Sequence, residues 1–158
     1  MRLPAPALIL AGFLAVVLFL AVARRHATPV GPAVRASWTL TPGVLNPAVT
    51  QATVRATVCA RGWTRTIRPP VAYTNRLKLE QMREYGLSGD PADYQEDHLV
   101  SLELGGHPTD PRNLWPEPMS RAQEVDGTEN DLNRRICDGS LSLADAQRKI
   151  AELKHERG

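Results

Sequence analysis

The segment 94–116 restricts the fold of this 158-residue chain more than any other part of the sequence. Residues 96–104 mix apolar and polar side chains with β-branched content, a pattern typical of a hairpin strand. The Gly105–Gly106 pair begins a connection, and residues 113–116 predict a short return strand that a proline ends. We therefore predict a β-hairpin in this part of the chain.

The segments around this hairpin are predicted to be mostly helical. Apolar residues recur at helical spacing from about Ser120 to Cys137, with Thr128 as an alternative start. A last helix begins after Ser142, which is a typical N-cap residue. An earlier helix is predicted from about Thr74 to Tyr85, and a short strand from Val54 to Cys59. One hairpin surrounded by helices gives an α+β fold.

The N-terminal residues differ in composition from the rest of the chain. Residues 5–22 carry no charge and are mainly apolar, which is typical of an export signal or a single membrane anchor. Residues 21–23 fit the small-x-small pattern of signal-peptidase sites, so cleavage is favoured and a membrane tether is the alternative. We predict residues 1–23 as signal or anchor, 24–47 as an extended linker, and 48–158 as one domain. The domain is expected outside the cytoplasm, either secreted, periplasmic or membrane-anchored.

Two cysteines, Cys59 and Cys137, lie far apart and belong to no CxxC pair. A zinc site would need a closer group of Cys or His ligands. In an oxidising compartment the simplest prediction is one disulfide that closes a long loop. Two buried free thiols are the alternative.

The net charge of +2 hides an uneven distribution. From Arg24 to Arg83 there are ten basic residues and one acid, whereas from Glu84 onward there are eight basic residues and sixteen acids. The first half of the chain is basic, and the second half is rich in the acidic residue types that bind metals. This distribution suits a polyanionic substrate that is bound beside a cation. Ordinary solvated surface is the alternative. The candidate phosphate contacts in the basic half are Arg61, Arg65, Arg68 and Arg76.

Asp97 and His98 stand side by side on the first predicted strand. A neutral imidazole is a suitable general base at neutral pH, and a carboxylate can hold a cation that stabilises charge on a reacting phosphate. Neighbouring strand residues face opposite sides of a sheet. Local twist at the strand end must therefore bring both side chains to one site.

This hairpin resembles that of the HNH (ββα-metal) endonuclease superfamily, with an acidic residue beside His98, a Gly-Gly turn and an Asn-Leu pair at Asn113. The wider sequence from Thr57 to Gln147 is similar to small exported bacterial HNH-like proteins. The resemblance implies a small ββα-metal finger, with an additional N-terminal helix or strand and a C-terminal helix. It implies His98 as general base, Asp97 as a metal ligand, and Asn113 as the residue that fixes the loop and orients the imidazole.

The same resemblance implies an activity and a cofactor. The expected reaction is metal-dependent hydrolysis of DNA or RNA with low sequence specificity. The expected cofactor is a divalent metal, with Mg²⁺ favoured and Mn²⁺ or Ca²⁺ as alternatives.

HNH fingers usually carry one more ligand, often His, on the helix after the hairpin, and here no histidine lies between His107 and His155. Asp126 stands at a usual position and is our candidate for this ligand. Glu129 falls within the apolar stripe of the helix, where a carboxylate should be paired or bound to metal, because burying it alone is costly. Solvated or capping roles for Asp126 and Glu129 are the alternative.

Two functions therefore compete. The favoured one is an exported nuclease that acts on nucleic acid. The other is a non-catalytic nucleic-acid-binding or structural protein that keeps the ββα fold, and the missing helix histidine is its main support.

Overall fold

The computed structural model describes residues 35–156. The predicted signal or anchor, residues 1–23, and the first part of the predicted linker, residues 24–34, lie outside the described residues. Within the described range, no helix combines the length and the apolar character needed to cross a membrane.

Between residues 35 and 156 the chain forms a two-stranded antiparallel sheet and four helices, which is the predicted α+β class. Single turns of 3₁₀ helix connect several of these elements. In chain order the helices and strands are α1 (Trp63–Ile67), α2 (Val71–Glu84), β1 (Tyr94–His98), β2 (Leu114–Pro118), α3 (Met119–Asp138) and α4 (Leu143–Glu156).

The hairpin forms where it was predicted, but its first strand is shorter. β1 ends at His98, and residues 102–104 form a 3₁₀ turn, so the predicted strand over 96–104 is wrong beyond His98. Leu99, Val100 and Leu102 are all buried, whereas a strand with one solvent face would bury only every second residue. In the register of the sheet, Asp97 lies opposite Trp115.

The predicted strand from Val54 to Cys59 is also wrong. This segment forms a series of turns in which Val54 and Val58, four residues apart, are both buried. Thr57 is buried as well, whereas Ala56, which a strand would place on the same face as Val54 and Val58, is exposed. Burial at spacings of three and four residues is helical, so the pattern here is that of turns and not of a strand.

The main core lies between α3, α4 and the turns that precede α1. The Cys59–Cys137 disulfide joins these turns to the end of α3, with the two Cα atoms 5.6 Å apart, and confirms the predicted pairing. Helix α4 begins as predicted: the Ser142 hydroxyl accepts a hydrogen bond from the Asp145 backbone N–H at 3.1 Å and donates to its carboxylate at 2.7 Å. The buried core residues of the two helices include Val125, Leu132, Ile136, Leu143, Ala146 and Ile150.

Residues 35–47, which composition placed in the linker, pack against the domain. Ala36 and Thr41 are buried, and the Ala36 backbone N–H donates to the Lys154 carbonyl oxygen at 3.2 Å. The Thr41 hydroxyl contacts the Tyr85 hydroxyl at 2.7 Å. These contacts depend on backbone groups and small side chains, which leave no periodic pattern in a sequence. The folded domain therefore includes residues 35–47 and not only those from 48 onward.

Candidate functional site

His98 is the last residue of β1 and is almost completely buried, with an exposed fraction of 5%. Its Nε2 donates a hydrogen bond to the carbonyl oxygen of Pro108 at 3.0 Å, which fixes the orientation of the ring. Burial lowers the pKa of His98, while the contact with Pro108 and the charge of Asp97 act in the opposite direction. The net shift is downward, so the imidazole is neutral at pH 7.

Asn113 ties together the two ends of the loop that follows His98. The side chain is fully buried, and its Oδ1 accepts from the Val100 backbone N–H at 3.0 Å. Its Nδ2 donates to the carbonyl oxygens of Val100 at 3.1 Å and His107 at 3.0 Å. The loop passes so close to Asn113 that a Cβ atom at Gly106 would lie 1.7 Å from the Val100 carbonyl oxygen. Position 106 therefore requires glycine, because there is no room for a side chain.

Asp97 contacts a partner that sequence reasoning did not identify. Its Oδ2 lies 2.6 Å from the ammonium of Lys154 on α4, and the same ammonium donates to the His98 carbonyl oxygen at 2.8 Å. Burial opposes ionisation of Asp97, but the positive charge of Lys154 outweighs it and holds the pKa of this carboxyl well below its usual range.

Two further carboxyl groups reach the same ammonium. Glu129 of α3 lies 2.8 Å from it and Glu117 of β2 lies 3.4 Å from it. Burial raises the pKa of Glu117 to about 8 and that of Glu129 to about 7. Burial alone would lower the pKa of Lys154, but the surrounding carboxylates raise it, so the side chain stays charged.

The helix residues predicted as metal ligands occupy different surroundings. Glu129 is buried, as the helical projection indicated, and Lys154 is its partner. Asp126 is exposed and lines a cleft on the surface of the domain. The carboxylate that α3 brings to Asp97 is therefore that of Glu129, which corrects the choice of Asp126 as the leading candidate.

The resemblance to HNH nucleases implies a divalent cation at Asp97, and the surroundings of Asp97 test whether one fits. The Lys154 ammonium fills the position next to the Asp97 carboxylate. In the part of the chain that the structure describes, no three His, Cys, Asp or Glu side chains are arranged to hold a metal ion. These residues do not fit a divalent cation while Lys154 is in place, and no catalytic step is assigned to a metal.

A cleft of about 280 Å³ lies between α1, α3 and the loop after His98. Arg68 lines this cleft and is close enough to His98 for its charge to contribute to the lowered pKa of the imidazole. Glu103 faces Asp126 here; burial raises the pKa of Glu103, and the charge of Asp126 adds to that effect. The lining residues are Thr64, Arg68, Ser101, Leu102, Glu103, Asp126, Glu129 and Asn130.

The other predicted phosphate contacts are not part of this cleft. Arg61 and Arg65 are exposed, and the guanidinium of Arg65 folds back toward Gly62. Arg76 is also exposed and stacks over the ring of Tyr73, with 5.9 Å from its Cζ to the ring centroid. Of the four arginines, Arg68 is the one that the structure brings to the surroundings of His98.

Sequence reasoning missed Lys154 and Glu117, although each left a signal. Lys154 follows Ala146 and Ile150 at intervals of four residues, so a helical projection places it on the buried stripe of α4. Glu117 follows Trp115 by two residues on β2, so it shares the buried face of that strand. A lysine and a glutamate on buried faces predict that each has a partner of opposite charge.

Glu96, the residue before Asp97, gives a prediction about stability. Both of its carboxylate oxygens are buried without a hydrogen-bond partner among the described residues, and burial raises its pKa from 4.5 to about 8. Between these values the folded state binds more protons than the unfolded state, so stability falls as pH rises. We expect Glu96→Gln to stabilise the fold at pH 7.5 by about 1–3 kcal/mol, because it removes the charge.

Urea denaturation of the wild type and the Glu96→Gln variant between pH 4.5 and 8.5 measures this effect. The difference between them should shrink toward zero near pH 4.5, where Glu96 is protonated in the folded state and only about half ionised in the unfolded state. Glu84→Gln, an exposed residue of α2, is the matched control. A stability difference that does not change with pH would contradict the assignment.

The chain matches no protein-family model, no curated protein and no solved structure. Its function is therefore inferred from the geometry and chemistry of these residues.

Proposed function

We propose that this chain is an exported nuclease of the HNH (ββα) type, which cleaves phosphodiester bonds of nucleic acid beside His98. The single observation that supports this most strongly is the placement of His98: a buried imidazole at the end of β1, held by the Pro108 carbonyl oxygen, three residues before Ser101 of the cleft that Arg68 lines. The order of β1, β2 and α3 along the chain is that of a ββα finger, which adds support.

In this proposal His98 acts as the general base. Because Nε2 donates to Pro108, the ring nitrogen left to accept a proton is Nδ1. Nδ1 takes a proton from the attacking water while the water oxygen bonds to phosphorus. The bond from phosphorus to the departing oxygen breaks, and that oxygen keeps the bonding electrons and takes a proton from solvent water. Asn113 is a positioning residue: it holds the loop that carries Pro108, and this loop keeps the imidazole ring of His98 oriented.

Arg68 is the proposed phosphate contact. Its guanidinium can donate two parallel hydrogen bonds to a phosphate and offset the charge that develops during attack. The roles of Arg61, Arg65 and Arg76 in binding the polyanion outside the cleft remain a prediction from charge distribution. Export is supported by the disulfide, since such bonds persist in oxidising compartments.

A second candidate function is nucleic-acid binding without catalysis. The observation that favours it is the Lys154 ammonium, which fills the position where the resemblance implies a metal. A protein that had exchanged its metal for a fixed lysine could keep the fold and the basic surface while losing the reaction.

A cleavage assay separates these functions. The purified full chain is incubated with supercoiled plasmid DNA and, separately, with single-stranded RNA, each in Mg²⁺ and in excess EDTA. We expect cleavage of at least one polymer in both buffers. The Arg68→Glu variant should bind the polymer that the wild type cleaves, but more weakly than the wild type does. The control is Arg83→Glu, which reverses the charge of an exposed residue of α2. Retained binding with no cleavage in any buffer would favour the second function.

A further inference from the structure

Ser101 brings an unpartnered hydroxyl to the cleft that Arg68 lines. The residue is 8% exposed, and its Oγ is buried without a hydrogen-bond partner among the described residues. A buried polar group without a partner loses its hydrogen bonds to water and gains none in return, which is costly. Native structures keep few such groups. Because Ser101 is part of the wall of the cleft, a ligand in the cleft can supply the missing partner.

Ser101 is fixed in position by the loop that follows His98. Its carbonyl oxygen accepts hydrogen bonds from the backbone N–H groups of Leu104 and Gly106, each at 3.0 Å. The side chain of Asn113 ties the same loop. The hydroxyl of Ser101 is therefore carried by an ordered backbone, so a ligand that pairs with it does not have to order the loop first.

The cleft presents carboxyl groups as well as a guanidinium. Glu103 is half-buried in its wall, and both Asp126 and Arg68 lie close enough to Glu103 for their charges to act on it. Arg68 is exposed and free to hold a phosphate, whereas a carboxylate repels one. A ligand that suits the whole cleft must therefore combine an anionic group with a hydrogen-bond donor close to it.

A ribonucleotide unit has this combination, and a deoxyribonucleotide unit lacks it. The 2′-hydroxyl both donates and accepts hydrogen bonds, and it stands on the carbon next to the one that carries the 3′-phosphate. It can donate to the Glu103 carboxylate and pair with Ser101 Oγ while Arg68 binds the phosphate. In DNA this position carries only hydrogen, so Ser101 would stay unpartnered and Glu103 would face the phosphate without a donor between them. The cleft volume of about 280 Å³ is near the lower end for small-ligand sites and suits one nucleotide unit.

We propose that Arg68, Ser101 and Glu103 form a ribose subsite in the cleft. In this subsite Ser101 and Glu103 bind a 2′-hydroxyl, Arg68 binds the neighbouring phosphate, and the chain therefore selects RNA over DNA. This inference rests on the proposed function, because it takes nucleic acid as the ligand of the cleft. It adds the class of nucleic acid and the residues that select it.

Two single strands that differ only at the 2′ position test the subsite. Fluorescein-labelled oligo-rU and oligo-dU of about eight nucleotides are titrated with the full-length His98→Ala variant in EDTA, which limits cleavage, and binding is followed by anisotropy. We expect oligo-rU to bind at least about tenfold more tightly than oligo-dU, since hydrogen bonds to a charged group are among the stronger ones. If His98→Ala does not fold, the wild type is titrated with uridine 3′-monophosphate and its 2′-deoxy form, which contain no phosphodiester bond.

Variants of the subsite show whether these residues cause the selectivity. Ser101→Ala and Glu103→Ala, each added to the parent used for binding, should bring the ratio of RNA to DNA affinity close to one. Glu103→Gln keeps an oxygen that accepts from the 2′-hydroxyl and should retain part of the ratio, which a merely structural role would not predict. Glu80→Ala, at an exposed position of α2 outside the cleft, is the matched control and should keep the full ratio.

The proposal is overturned if the parent binds the two strands equally or binds neither. It is also overturned if the ratio survives in both Ser101→Ala and Glu103→Ala. This outcome is separate from that of the proposed function, because binding is measured without cleavage. Selective RNA binding by a wild type that cleaves nothing would reject the nuclease and keep the subsite, whereas cleavage with equal affinities would do the reverse.

Discussion

Replacing His98 by alanine should slow cleavage of nucleic acid by about 10²–10⁴-fold, the usual contribution of a general base. The fold should survive, because the ring makes one hydrogen bond, to Pro108, and the loop remains held by Asn113. Because the pKa of His98 is lowered by burial, the wild-type imidazole is already neutral at pH 7. The wild-type rate should therefore depend little on pH above neutrality.

His107→Ala is the matched control, because His107 lies in the same loop but is only partly buried. Its Nδ1 accepts hydrogen bonds from the backbone N–H groups of Thr109 and Asp110, so it stabilises the turn. We expect the rate for this variant to stay close to that of the wild type. Equal rates for His98→Ala and the wild type would remove His98 as the base and leave the nuclease proposal without its main support.

Removing the disulfide should destabilise the fold by about 4 kcal/mol in the chain-entropy model, since the bond closes a loop of 78 residues. Removing the disulfide should also affect the candidate functional site. The bond anchors the turns before α1 to α3, and Asn133 beside it donates hydrogen bonds to the carbonyl oxygens of Val58 and Glu103. Without the bond, the wall of the cleft that carries Arg68 should become more mobile.

Urea denaturation of the wild type with and without reductant, and of the Cys59→Ala/Cys137→Ala variant, measures this loss. The variant should show the lowered midpoint in both buffers, and the wild type only after reduction. A reductant-dependent shift in the variant would mean that the effect is not caused by this bond. An unchanged midpoint in the reduced wild type would contradict a stabilising role.

Strong local patterns made much of the fold predictable from sequence. The helices α3 and α4 follow from apolar residues at helical spacing and from the Ser142 cap, and the hairpin follows from its turn glycines. The short β1 was not predictable, because residues 99–104 are buried by turning under Asn113 and not by strand pairing. The packing of residues 35–47 was missed for the reason that backbone hydrogen bonds carry no sequence signature.

The candidate site was predictable in part. The sequence singled out Asp97, His98 and Asn113, and the register of the hairpin places Asn113 near His98. Their side chains have different partners: Lys154 for Asp97, Pro108 for His98, and Val100 and His107 for Asn113. What the sequence did not indicate is that the partner of Asp97 is a lysine 57 positions later, on the last helix. A sequence motif identifies neighbours that are close along the chain, whereas this contact depends on how α4 packs against α3 and the 3₁₀ turn at residues 102–104.

The most direct test of the account is the single-turnover cleavage rate of the full chain in excess EDTA, compared with the rate in Mg²⁺. Because the Lys154 ammonium occupies the position beside Asp97 where the resemblance implies a metal, and Arg68 is the proposed phosphate contact, we predict that cleavage proceeds in EDTA and that His98→Ala abolishes most of it. Cleavage that occurs only in Mg²⁺, and stops when the ion is chelated, would contradict the account.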